Sequence, residues 1–209
     1  MTQPEIRFNG FSDEWDIFKL KDVVIESIEK SATEDQYDVL SSTVNGIELR
    51  KGRVSGKSNI GYKVLDLNHL VLSPQNLWLG NINVNRFIKG IVSPSYKVYE
   101  FNSDRLDSTY ASYMLRTSCL LKEYKDVSVQ GASTVRRSLD LNRFYDIKCE
   151  LPTLPEQQKI GALFSKYDAI ISLYEQKLEE LNALKKGMLQ QMFDDGVATS
   201  HKPQATSKI

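Results

Sequence analysis

Residues 151–193 read LPTLPEQQKIGALFSKYDAIISLYEQKLEELNALKKGMLQQMF, and their periodicity decides the architecture. Phe164, Tyr167, Ile171, Tyr174, Leu178 and Leu181 step by three and four residues; Lys185 interrupts, and Met188 and Met192 resume in register. Ile160 extends the row toward the N-terminus. Nine seam positions from Phe164 to Met192, one of them polar, make a heptad pattern of the coiled-coil kind. Thr153 is placed as the N-cap, Pro155 lies in the first turn and Glu156 stands at the third position, the order of a capping box. A helix over 156–193 would be about 57 Å long at ~1.5 Å per residue, more than one small domain can cover. Its seam therefore calls for another helix. Tyr167 and Tyr174, at heptad positions, are read as packing residues and not as base-stacking ones.

Upstream of this helix the pattern is mixed. Short runs rich in Val, Ile and Tyr (YDVLSS, YKVLDL, HLVLSP, RFIKGIVS, SYKVYEF) read as strands bounded by Gly, Pro, Asn and Ser. In DRLDSTYASYMLRTSCLLKEY the apolar residues recur at helical spacing, with Asn102, Ser103 or Asp104 as candidate caps. A weaker short helix is expected around Lys21–Ser31. The fold class is thus α+β: a globular domain over 1–152 with a mixed β-sheet and helices, then one long coiled-coil-forming helix over 153–193. The tail 194–209 has little to bury and is read as disordered.

The chain of 209 residues carries 27 basic and 27 acidic side chains, a balance that hides an uneven distribution. Residues 1–38 hold four Lys/Arg against ten Asp/Glu, whereas residues 46–97 hold eight against two. Local patches, and not the total, set the field a polyanion meets. A solvated basic face is the bland alternative. Within the basic stretch, GRVSGKS at 52–58 resembles a phosphate-binding loop but lacks one residue of the spacing. A strand-like alternation running to Pro74 follows it, so no helix start is there to receive a phosphate. It reads instead as a basic loop.

No catalytic set is evident. The chain lacks HExxH, G-x-S-x-G, and the Asn/Asp-Pro-Pro-Tyr/Phe segment and Gly-rich loop of a DNA aminomethyltransferase. His69 and His201 are the two histidines, and Cys119 and Cys149 are far apart, so neither a metal site nor a cofactor is expected. The cysteines are read as reduced thiols of a cytoplasmic protein, Cys119 as a core residue, and His69 as a strand residue without a chemical role. There is no membrane-length apolar run and no signal-peptide pattern at the start.

The helix segment 151–193 resembles the conserved helical region of type I restriction-modification specificity (S) subunits. RFNGFSDEWDIFKLKDV is similar to the start of a target-recognition domain of that family, and so is VQGASTVRRSLDLNRFYDIKCELP, which leads into the Pro-Glu-Gln-Gln helix start. NLWLGNINVNRFIKGIVSPSYKVYEF resembles one subclass of these domains. The family usually has two recognition domains and two conserved helices in one chain; this sequence has one of each, like a half-subunit. The resemblance implies a chain without catalysis of its own. Its recognition domain reads one half of a bipartite site on double-stranded DNA. Its helices pair antiparallel as a spacer, and modification (methyltransferase) subunits dock on them, with the restriction subunit as a further partner. A single helix per chain implies a homodimer through Ile160, Phe164, Tyr167, Ile171, Tyr174, Leu178, Leu181, Met188 and Met192.

Given that resemblance, Arg50, Lys51, Arg53 and Lys57 are candidates for phosphate contacts, and Ser55, Ser58 and Lys63 are DNA candidates beside them. Arg53, Asn59, Asn83, Asn85 and Arg86 have side chains suited to base edges, and Arg136 and Arg137 are further DNA candidates. A structural coiled-coil adaptor whose globular head binds protein is the alternative from another class. A stand-alone nuclease or methyltransferase is a third, and would show activity without any added subunit.

Overall fold

The computed structural model describes residues 4, 6–51, 58–130 and 137–193. The expectations for the tail 194–209 and for the basic loop at 52–57 lie outside the described residues. In chain order the elements are β1 (Asp16–Lys19), α1 (Leu20–Val23), β2 (Val24–Glu26), β3 (Leu40–Thr43), β4 (Gly46–Leu49), β5 (Lys63–Leu65), β6 (Leu70–Leu72), β7 (Ile82–Val84), β8 (Gly90–Val92) and β9 (Lys97–Phe101). There follow α2 (Ser108–Met114), α3 (Ser118–Asp126), β10 (Ser128–Gln130), β11 (Arg137–Leu139), α4 (Leu141–Tyr145), β12 (Lys148–Leu151) and α5 (Leu154–Phe193).

The centre is an antiparallel four-stranded sheet in the order β2-β9-β6-β7. Successive side chains of a strand point to opposite faces, and here both faces are covered. Leu70, Leu72, Ile82, Val84 and Tyr99 enter the main core with Leu106, Tyr110, Leu120, Tyr124 and Phe144 from the helical side. Val71 and Val98 enter a second cluster with Leu40, Leu65 and Val92. Burial on both sides explains why LVL at 70–72 reads as a continuous apolar run. The strand pairs β3-β4 and β5-β8 complete the second side. At Gly90 a Cβ would lie 2.5 Å from Leu40 Cδ1 and 2.8 Å from the Asp38 carbonyl, so the close approach of β8 to the entry of β3 requires glycine.

Three local expectations are corrected. The helix around Lys21–Ser31 is a single turn, because Val24–Glu26 pairs with Phe101–Tyr99 as an edge strand of the sheet. The run from Asp104 to Tyr124 is two helices, not one. Asp107 caps the first by accepting from the Tyr110 N–H at 2.8 Å, and neither Asn102, Ser103 nor Asp104 does so. The second starts after Thr117, and the break leaves Cys119 exposed rather than in the core. Cys149 is the buried cysteine, its thiol pushed up to about 11 by burial.

Compact units divide after Phe164, within α5. The first turns of the helix belong to the globular unit, and their chemistry is specific. Glu156 is fully buried, and both its carboxylate oxygens accept from the Arg7 guanidinium, at 2.7 and 2.8 Å. That carboxylate therefore serves a tertiary ion pair where the sequence pattern suggested a capping box. Gln157, also buried, accepts from the Asp107 N–H through Oε1 and donates through Nε2 to the carbonyls of Arg105 and Pro152, each at 2.9 Å. Gly161 lies against α2: a Cβ there would sit 3.0 Å from the Tyr110 nitrogen. Ile160 packs on the main core, and the Phe164 ring meets Tyr113 at a centroid distance of 5.2 Å. These first two seam residues thus have contacts within the unit, with Phe164 still 44% exposed.

The second unit, described over Ser165–Phe193, is helix throughout. Its seam is open: Tyr167, Ile171, Tyr174, Leu178, Leu181, Met188 and Met192 are all more than half exposed. Ile170, Leu173, Leu184 and Leu189 flank the seam and are exposed as well, so the apolar stripe is wider than a two-position seam.

Replacing Gln157 by Ala removes three backbone partners at once. Hydrogen exchange of the amides in residues 154–164 should accelerate while those of β6 and β9 stay protected, because opening is local where its bonds are lost.

Candidate nucleic-acid interface

The cations in and near the basic stretch fall into two groups once their partners are known. Lys97 Nζ lies 2.6 Å from Glu26 Oε1, and Lys63 Nζ donates to the Tyr96 carbonyl at 2.7 Å with Glu26 at 4.0 Å. Burial and the neighbouring Lys97 charge hold the Lys63 ammonium below its ordinary pKa. Lys89 Nζ meets Asp66 Oδ2 at 2.6 Å, an ion pair that raises the lysine and lowers the aspartate. These three lysines satisfy the fold's own acidic groups. Lys63, expected as a DNA contact, is mostly buried and bonded to the fold's own groups.

Arg86 and Arg116 are placed differently. Arg86 donates through Nη1 to Asn68 Oδ1 at 2.5 Å, and through Nη2 to Thr109 Oγ1 at 2.9 Å and Ser108 Oγ at 3.2 Å. Arg116 donates to Asn83 Oδ1 at 2.7 Å and to the Val44 carbonyl at 2.6 Å. All of these acceptors are neutral. Both arginines are exposed. Lys51 is also exposed, and Arg50 lines a cleft with Asp35, Asp38 and Lys89.

The asparagines expected at base edges are building material. Asn85 is fully buried; its amide donates to the carbonyls of Leu65, Asp66 and Ile88, and its oxygen accepts from the Phe87 N–H. Asn83 donates to Ser42 Oγ and the Thr43 carbonyl, both at 2.8 Å, which turns its oxygen toward Arg116. Asn59 exchanges bonds with Asp35, donating to Oδ1 at 2.7 Å and accepting from the backbone N–H at 2.9 Å. Ser58 donates to Glu34 Oε2. The reason is common to the three asparagines: a buried amide must satisfy donor and acceptor together, from the backbone alone at Asn85 and from backbone and side chains at Asn59 and Asn83. Arg137 stacks on Trp78, its guanidinium 4.8 Å from the ring centroid, and is half-buried. Arg53, Ser55, Lys57 and Arg136 lie outside the described residues. Arg116 was not singled out by sequence, since it falls in a helical pattern beyond the basic stretch.

Among the described residues no group of three or more His, Cys, Asp or Glu side chains is gathered as for a metal ion. No helix among them is long and apolar enough to cross a membrane.

The sequence model of the type I restriction modification DNA specificity domain matches residues 12–183. The chain belongs to this family. Two specificity subunits of Methanocaldococcus jannaschii are similar in sequence. One, of the MjaVIII type I restriction enzyme, is 33% identical over 135 residues, 64% of this chain and 30% of that protein. The other, a putative MjaX specificity subunit, is 24% identical over 94% of this chain and 49% of that protein. The specificity-domain chain therefore spans half or less of the length of these curated relatives. Its fold is shared with the S subunit from M. genitalium (TM-score 0.64, 12% identity, 94% of this chain and 50% of that one). The HsdS subunit from Thermoanaerobacter tengcongensis gives a TM-score of 0.52 at 15% identity, covering 94% of this chain and 54% of that one. The specificity-domain fold is the mixed α+β unit with its long C-terminal helix.

If the asparagines are structural, their loss must be felt without DNA. Asn59→Ala and Asn85→Ala should each lower stability by about 1–3 kcal/mol in urea titrations, the cost of leaving buried groups unpaired. Side chains kept for base reading alone would leave the midpoint unchanged.

Proposed function

We propose that this chain is a non-catalytic DNA specificity subunit that reads one half of a bipartite site and directs modification subunits to it. Two copies pair through α5, and the restriction subunit joins the same assembly in the cytoplasm. The observation that carries this reading is the open seam on α5, from Tyr167 to Met192, in a member of the specificity-domain family. An exposed apolar stripe of that length is costly in water and marks an association surface. Two identical helices satisfy each other in one two-fold contact, which buries the stripe twice. Relatives at least twice as long are themselves specificity subunits, which suits a chain that supplies one half of the reading surface.

The helix of 40 residues is about 60 Å long at ~1.5 Å per residue. Antiparallel pairing then separates two recognition domains by an upper span of roughly 18 base pairs at ~3.4 Å each. The half-sites are inverted, because palindromy mirrors two-fold protein symmetry. The bases between them are crossed but not read.

Leu178→Glu with Leu181→Glu should give a monomer that keeps its globular unit, as followed by sedimentation and circular dichroism. A wild-type chain that sediments as a monomer at micromolar concentration would remove the homodimer from the account. One heptad inserted between Leu178 and Leu181 should widen the tolerated gap by roughly three base pairs, since it adds about 10.5 Å. An unchanged gap would show that the helix is not the spacer.

A further inference from the structure

Arg86 and Arg116 line one cleft of about 320 Å³, together with Phe87, Asn83, Ile47 and Ser112, and no carboxylate is among its lining residues. Three features of this cleft point the same way. First, both guanidinium groups are held by hydrogen bonds to oxygen atoms, so less rotamer freedom remains to be lost on binding. Secondly, their holders are neutral, and neither arginine has an ion pair among the described residues. Two positive charges are therefore presented together, which a protein of balanced net charge elsewhere neutralises with Glu26 and Asp66. Thirdly, Phe87, 48% exposed, lines the same cleft, an apolar face in company with two cations.

A planar guanidinium matches paired acceptors, as on a phosphate or on the O6/N7 edge of guanine, and an exposed ring suits a sugar or a thymine methyl. Placing a large apolar ring next to two uncompensated arginines suits neither protein packing nor a simple solvated face. We propose that the Arg86–Phe87–Arg116 cleft is a contact site for double-stranded DNA, with the two guanidinium groups as the contacting cations. This rests on the specificity-subunit reading above and assigns that reading a place on the domain. It makes the β7–β8 connection and the end of α2 part of the DNA-facing surface, independently of the loop at 52–57.

The test measures binding of sheared double-stranded DNA by the full chain with its modification subunit, across a salt series. Arg86→Ala and Arg116→Ala should each weaken binding roughly five- to a hundredfold if the side chain reads a base, and the methylated motif then relaxes at one position. If it holds a phosphate, the weakening is uniform over sequences and the salt slope falls by about one. Either outcome supports the site. Phe87→Glu leaves both arginines and their holders in place but adds a carboxylate to the lining of the cleft, and it should abolish most of the binding with an unchanged Tm. Lys97→Gln, which removes a cation already paired with Glu26, should leave affinity and slope little changed. If the wild type binds and the folded Arg86, Arg116 and Phe87 variants bind as tightly with the same slope, the cleft is not a DNA contact. A wild type that binds no DNA even with its modification subunit would overturn the specificity reading itself, and the cleft with it.

Discussion

The first turn of α5 is fixed by two adjacent side chains, and the rest of the architecture depends on them. Glu156 is a fully buried carboxylate, tolerable because a guanidinium takes both of its oxygens. Gln157 uses its oxygen and both amide hydrogens on backbone groups of the segment before α2 and of the strand-to-helix joint. Together they tie the N-terminal segment, the α2 entry and β12 to one helical turn. Gly161 and Ile160 extend the contact by one turn, and Phe164 closes it. Beyond that point the helix has its seam exposed, from Tyr167 to Met192.

The same economy shapes the domain. A sheet with both faces covered has no solvent side on which to place polar strand residues. The alternation Asn81-Ile82-Asn83-Val84-Asn85 therefore puts its amides into a buried polar seam against Ser42, Thr43 and the β5–β6 turn. The Asn83 oxygen of that seam accepts from the exposed Arg116 guanidinium. The buried network and the candidate DNA surface are thus consecutive links of one hydrogen-bonded chain.

How much was legible in the sequence follows from what periodicity can carry. The heptad row is local, so the long helix and its apolar seam were readable to within two residues of the observed start at Leu154. The strands at 40–43, 63–65, 70–72, 90–92 and 97–101 were readable for the same reason. No local pattern shows what covers the amides at 81–85, and Asn83 and Asn85 were assigned to DNA on side-chain type alone. Lys63, Lys89 and Lys97 looked like a basic patch because their carboxylates, Glu26 and Asp66, are brought to them by tertiary folding. Glu156 illustrates the same limit: its position suits a cap, and its partner Arg7 lies 149 residues away.

Sequencing the methylated motifs of host DNA, with this chain as the specificity subunit present, is the most direct measure of the account. Two identical recognition domains on a two-fold helix pair predict an inverted repeat of short blocks around a fixed unread gap. A single contiguous motif would contradict the spacer role of α5, and an asymmetric bipartite motif would contradict the pairing of two identical copies.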